Sequence, residues 1–391
     1  MTADGEKGGT SMAPQRFPET NDPTELARQL ADTELATHVD EFEERSQFPR
    51  EIVRTLGRAG LLGLPYPAKY GGGGHDYETY LTVLEILATR WLAVAQSVNI
   101  HVLSCYPLAA HGTDEQRDRW LGSMLGGEQL GANCISEAEA GSDISAMACR
   151  GRAHPDGSAY TLDGAKAWTS HAGQADYYNI FCRTGRAGVR GLSVLLAPAT
   201  TRGLTTGRPE RKMGVRSSPT ATVTLDGAEV AADRMIGRPG KGFLIATGLF
   251  DRGRLGIAAC AVGLATAALD QAVSYARKPR SSGGPAIDSQ GLAFLLADLS
   301  TQVAAARALV REAARTLDSG VRDSVVTAEA ARAKLFATDT AMRVTTDAMQ
   351  ALGAHSAGQD HPAERWMREA KLLQIIEGTN QIQRVVIARS L

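Results

Sequence analysis

TATVTLDGAEVAADRMIGRPGKGFLIATGLFDRGRLGIAACAVG, residues 220–263, changes its hydrophobic texture midway. The first part, Thr220 to Val230, is a short run rich in β-formers and bounded by turn residues, the mark of a strand. From Gly242 onward apolar residues recur at three- and four-residue intervals, the spacing of a helix that buries one stripe. The stretch is therefore a border, with β structure before it and helix after it.

Working outward from this border, the N-terminal side continues as β structure. AHPDGSAYTLDG (153–164) reads as a hairpin turning at Pro155-Asp156-Gly157, and DYYNIFCRT (176–184) and GLSVLLAP (191–198) read as strands. A β domain over 128–238 follows. Ahead of it, 23–127 is helical: DPTELARQLADTELATHVDEFEER and PREIVRTLGRAGLLGL carry the helical repeat, and Thr113 with Gln116 forms a cap before a short helix. Residues 1–22 are polar, rich in Gly, Pro and Thr, and read as a mobile tail. On the other side, 239–391 returns to long Ala-rich helices, an antiparallel bundle of four or so. The last of these is read as running to Gly378, with Asn380 and Gln383 capping the next.

Bulk composition narrows the function. The chain has 391 residues, is 43% hydrophobic and carries a net charge of −1, which gives no basic footprint for nucleic acid. Five scattered cysteines include no Cys-x-x-Cys pair, so neither a disulfide framework nor a zinc site is indicated, and a reduced cytoplasmic protein is the plain expectation. No secretory h-region opens the chain, and no run of 18 uninterrupted apolar residues suggests a membrane span.

Several familiar sites are missing. The run Gly71–Gly74 lacks the Gly-Lys-Ser/Thr of a phosphate loop, and no G-x-G-x-x-G occurs, which disfavours a Rossmann unit. No histidine pair has i, i+4 spacing and no G-x-S-x-G elbow is present; His101, His171 and His355 read as ordinary packed or surface residues.

Three segments remain. NCISEAEAGSD (133–143) ends in Gly141-Ser142-Asp143, which serves equally a tight turn or close backbone approach to a ligand. KAWTSHAG (166–173) sets Trp168 beside Thr169 and Ser170; that indole could be core or the wall of a flat aromatic ligand. LLQIIEGTNQIQRVVIARSL (372–391) places Glu377 behind Leu372, Leu373, Ile375 and Ile376. Partial burial there raises a carboxyl's pKa, giving either a usable base or a buried structural hydrogen bond.

Together these segments resemble the acyl-CoA dehydrogenase family over nearly the whole chain after the tail. SEAEAGSD is similar to the family's flavin-loop signature and KAWTSHAG to its Lys-x-Trp-Ile-Thr-Asn motif. FDRGRLGIAACAVG is similar to the start of its first bundle helix, QALGAHSAG to its Gln-x-Leu-Gly-Gly loop, and IIEGTNQIQR to its Glu-Gly-Thr-x-x-Ile-Gln-Arg signature. The resemblance implies an α+β chain with an N-terminal helical domain, a middle β domain and a C-terminal four-helix bundle. It also implies FAD between the last two.

By matching positions, Ile135, Ser136, Gly141, Ser142, Trp168, Thr169 and Ser170 would line the flavin, with Thr379 and Gln381 completing its site. Gln350 and Gly353 would reach the ADP part of FAD in a neighbouring subunit, with Arg280 and Gln290 on the adjoining loop. Ser142, Asp251, Arg254, Gly378 and Arg389 would contact the acyl-CoA. Glu377 matches the catalytic base, taking the α-proton of an acyl thioester while the β-hydrogen leaves as hydride to the flavin. Some members place the base just before the Arg matching Arg254; here that position is Gly253, which cannot serve.

The resemblance further implies a homodimer or homotetramer passing electrons to an electron-transfer flavoprotein. Alternatives are a relative acting on an acyl carrier protein, a nitroalkane-oxidase-like or monooxygenase relative, and a silent scaffold. Departures include Ala138 for Pro in the flavin loop, His171 for Asn after the Trp motif and Ala354 for the second Gly of Gln-x-Leu-Gly-Gly. The stretch RKPRSSGGPAIDSQ has Gly283 near the place of a usual Phe, with Arg280 keeping the cation.

Overall fold

The computed structural model describes residues 22–280 and 283–391, so the N-terminal stretch read as a tail, apart from its last residue, lies outside the described residues. The chain builds three successive layers. Six helices come first: α1 (Pro23–Leu30), α2 (Ala36–Arg45), α3 (Arg50–Arg58), α4 (Tyr77–Ala88), α5 (Leu92–His111) and α6 (Asp114–Leu125). Asp22 and Asp76 cap α1 and α4, and Thr113 with Gln116 closes the expected capping box on α6.

An eight-stranded sheet follows: β1 (Gly131–Cys134), β2 (Arg150–Ala153), β3 (Ala159–Ser170), β4 (Tyr177–Arg183), β5 (Leu192–Pro198), β6 (Leu204–Thr206), β7 (Thr220–Ala231) and β8 (Met235–Ile236). Its order is β6-β7-β3-β2-β4-β5-β8, with β1 parallel beside β4. The β2–β3 hairpin turns where the sequence places it, with Gly157 at φ +73°.

The chain then forms α7 (Gly242–Ala276), α8 (Gln290–Asp318), α9 (Asp323–Leu352), α10 (Pro362–Leu373) and α11 (Asn380–Ala388). The bundle is three long helices with a shorter fourth, α10. Small residues let α7 touch the N-terminal layer: a Cβ on Gly256 would lie 2.0 Å from Asn99 Oδ1 of α5.

Two readings are corrected here. The helix before Glu377 ends at Leu373, and Thr379, not Asn380, caps α11 by accepting from Ile382 N at 3.2 Å. Asn380 is buried and its amide is spent on α9. In addition, three helices, α5, α7 and α8, are long and apolar enough to cross a membrane by length and composition, although no apolar run is unbroken. Most of the apolar window of α5 and of α7 is buried within the protein, whereas α8 leaves much of its own exposed.

Candidate active site

β3 explains how Trp168 comes to face outward. Lys166 points inward, so strict alternation would bury Trp168 as well. A register shift between Lys166 and Thr169 against β7 inserts one residue, and Trp168 takes up the excess in the left-handed region at φ +53°. Its ring is 56% exposed, while Thr169 turns inward and its hydroxyl donates to Cys134 Sγ at 3.7 Å. The Thr169 side chain is therefore not available to a ligand, correcting its expected cofactor contact. A bulky residue held at positive φ is an outlier of the kind that clusters at ligand sites.

The loop after β1 is fixed against that strand end. Lys166 is fully buried and donates to the Ile135 carbonyl at 3.0 Å and to Glu137 at 2.8 Å. Glu137 in turn accepts from Ala148 N and Cys149 N, and Ser136 O accepts from Ala167 N. A Cβ on Gly141 would stand 3.8 Å from the indole. Gly141 and Ser142 are exposed, Ser136 and Ser170 partly so, and Ile135 is buried. His171 is also buried: its Nδ1 donates to Gly131 O, and burial pushes its pKa down to about 4, so the ring is neutral.

The second cluster surrounds Glu377. This residue and Gly378 are successive left-handed residues, at φ +51° and +84°, in the turn between α10 and α11. The carboxyl lies against α7: a Cβ on Gly253 would be 2.6 Å from its Oε2, with Leu103 of α5 beside the same spot. Burial raises the Glu377 pKa above the ordinary carboxylate value, opposed by the cations Lys334 and Arg254. Among the described residues, the Glu377 N–H meets no backbone partner, whereas its carbonyl and that of Gly378 accept from Gln383 Nε2.

Arg254 and Asp251 form a buried ion pair at 2.9 Å, and Thr327 donates to the other Asp251 oxygen at 2.7 Å. The structure thus shields both side chains, which were expected against substrate, although Arg254 Nε has no partner.

The remaining candidates lie elsewhere. Arg280, Gln290, Gln350 and Gly353 are exposed where α7 and α9 end and α8 begins, a corner where Tyr275 and His355 rings meet at 5.8 Å. Gln350 is sixteen residues along α9 from Lys334, roughly 24 Å at the helical rise. One chain cannot bring that corner and the Glu377 turn to the same small ring. Gln381 and Arg389 are exposed on and just after α11, and the Thr379 hydroxyl serves as its cap.

Sequence reading missed Lys334, which is fully buried beneath the Glu377 turn. The available signal was its place on the stripe of α9 carrying Ala330, Ala337 and Thr338, all buried.

An exposed indole beside hydroxyl-bearing loops suits a flat aromatic cofactor, and a half-buried carboxyl suits proton removal from carbon. An oxidoreductase acting on CH–CH bonds needs both. Residues 18–128, 132–228 and 240–391 match in turn the N-terminal, middle and C-terminal domains of acyl-CoA dehydrogenase, and the chain belongs to that family. FAD is its cofactor, and the silent-scaffold reading falls.

It is 36% identical over 366 residues to the short-chain specific acyl-CoA dehydrogenase of Clostridium acetobutylicum, covering 93% of this chain and 95% of that one. The butyryl-CoA dehydrogenase structure of Megasphaera elsdenii superposes with a TM-score of 0.91 at 36% identity, covering 96% and 99% of the two chains. A chain from the structure of the electron transferring flavoprotein of Acidaminococcus fermentans has a TM-score of 0.91 at 35% identity, with the same coverage.

Proposed function

We propose that the protein converts an acyl-CoA to its trans-2-enoyl-CoA, with Glu377 removing the α-proton. The carrying observation is the Glu377 carboxyl itself, held in a left-handed turn, pressed against Gly253 and Leu103 and flanked by two cations. Burial makes this carboxylate a stronger base than one in water, while Lys334 and Arg254 oppose that rise. Its N–H, without a partner among the described residues, would donate to the thioester oxygen, where charge develops as the proton leaves. Because the turn is tied to α9 and α11, much of the rate gain is positional.

Bound FAD supplies the acceptor for the β-hydrogen, which leaves as hydride. Ile135, Ser136, Gly141, Trp168, Ser170, Thr379 and Gln381 would hold its flavin part. Arg280, Gln290, Gln350 and Gly353 would hold the ADP part from a neighbouring subunit, in keeping with their distance from Glu377. Ser142, Gly378 and Arg389 would meet the acyl-CoA, with the Asp251–Arg254 pair bracing the substrate side.

A homodimer or homotetramer belongs to the same reading, since it would cover the α8 face carrying Phe294, which is 63% exposed. An electron-transfer flavoprotein as acceptor is supported by the Acidaminococcus fermentans relative, and a cytoplasmic setting by five free cysteines. Nothing in the site favours a carrier-protein substrate over CoA.

Glu377→Gln tests the assignment. The purified variant should keep its yellow FAD yet lose flavin bleaching by butyryl-CoA under anaerobic conditions, with wild type bleaching as the control. Bleaching at the wild-type rate would remove Glu377 from the reaction.

A further inference from the structure

Beneath the Glu377 turn, the carbonyl side of the chain is tied down by one side chain with no exposure. Lys334 of α9 donates to the Gly378 carbonyl at 2.9 Å and to Asn380 Oδ1 at 2.8 Å. The Gly378 carbonyl also accepts from Gln383 Nε2 at 2.8 Å. Asn380 Nδ2 donates to Asp339 Oδ1 at 2.7 Å, and Gln374 Nε2 donates to the same oxygen at 2.7 Å. The Gly378 carbonyl is thereby held toward α9, while those of Glu377, Thr379 and Asn380 accept from α11.

A lysine is a costly way to satisfy two buried acceptors, because its charge must be desolvated. Its position under the carbonyl of the residue that follows Glu377 gives that cost a purpose. We propose that Lys334 is a positioning residue for the reaction: its ammonium clamps the 377–380 turn from below and holds the Glu377 carboxyl in the ionised, proton-accepting form. This rests on Glu377 being the base.

The electrostatic surroundings agree. Groups facing the pair are Asp339 on α9, Arg254 and Asp251 on α7, and Arg384 on α11, which reaches Asp339 at 3.1 Å; α5 presents the apolar Leu103. Of the two cations that oppose the burial of Glu377, Lys334 acts more strongly than Arg254. Burial pushes Lys334 down to about 7, and Glu377 and Asp339 hold it up against Arg254. Removing one charge of such a pair moves the other toward its neutral form.

Two variants separate charge from hydrogen bonding. Lys334→Gln keeps a donor and loses the charge, whereas Lys334→Met loses both. In full-length, FAD-loaded protein, the protonated-carboxyl infrared band of Glu377 is identified as the one missing from Glu377→Gln, then titrated. The proposal expects its midpoint to rise by about one pH unit in both variants. The acid limb of flavin reduction by butyryl-CoA should move with it. Amide exchange at 377–380 should quicken about tenfold in Lys334→Met and stay near wild type in Lys334→Gln. An unmoved midpoint in Lys334→Gln overturns the proposal, even should Lys334→Met fail to fold. If Glu377→Gln still reduces flavin, the base assignment fails instead, and the infrared shift judges the pairing by itself.

Discussion

At the scale of single residues, Gly253 and Glu377 are two ends of one constraint. A methyl on Gly253 would stand 2.6 Å from the carboxylate oxygen, so the carboxyl occupies space that a side chain on α7 would otherwise fill. Gly253→Ala should leave folding intact or improve it, since alanine favours a helix interior by about 1 kcal/mol. The same substitution should slow flavin reduction by about a hundredfold, the effect of an ångström-scale displacement of a reacting group. Thermal melts and stopped-flow bleaching measure the two together. An unaltered rate in a well-folded variant would show that the seat of the carboxyl does not govern turnover.

Individual residues also mark where the sequence ceased to be legible. Apolar periodicity carries through Leu372, Leu373 and Ile376, so nothing local announces that α10 stops at Leu373. The stop is enforced from outside, by the amides of Asn380 and Gln374 reaching Asp339 on α9. Lys334 was hidden for a similar reason: a lysine in a helix reads as solvated unless the partners of its ammonium are known.

Among elements, helices and strands with strong periodicity were readable because each buries one face. The eight-stranded order, with β1 parallel to β4, was not, since it depends on pairings distant in the chain. The outward aim of Trp168 was unreadable too, because a one-residue register shift against β7 is invisible from β3 alone.

Helix α8 carries a prediction at this scale. It buries Leu296, Leu299 and Val303 against the bundle but leaves Phe294 exposed, with Leu292 and Leu295 only partly covered. If copies of the chain meet there, Phe294→Glu should place a charge in the contact and lower the sedimentation coefficient toward that of a single chain. A wild-type coefficient in that variant would move the contact to another surface.

For the whole molecule, two buried imidazoles make stability depend on acidity. His101 accepts from Gly131 N and His171 donates to Gly131 O, so both grip the first residue of β1 where it meets α5. Burial lowers each pKa from 6.5 to about 4. Between these values the unfolded chain binds protons that the folded chain refuses, so stability is full above about pH 6.5 and lost as pH falls toward 4. Each contributes a slope of about 1.4 kcal/mol per pH unit. Glu369, pushed up to about 8 by burial, tilts the curve the other way above its ordinary range. A comparison cancels that background: His171→Asn should flatten the urea-unfolding dependence between pH 6 and 4.5 by about one imidazole's slope. Parallel curves for the two proteins would mean that His171 is protonated when folded.

The extra residue in β3 has a consequence for how this protein can diverge. Outward aim is a property of the bulge and not of the indole, so any planar side chain placed at 168 inherits it. Straightening the bulge into regular alternation, with no change in length, would do what no replacement can. The aromatic wall would rotate into the sheet and Thr169 would come out in its stead. Over evolutionary time the ring at this place is open to exchange, while the bulge that presents it is not.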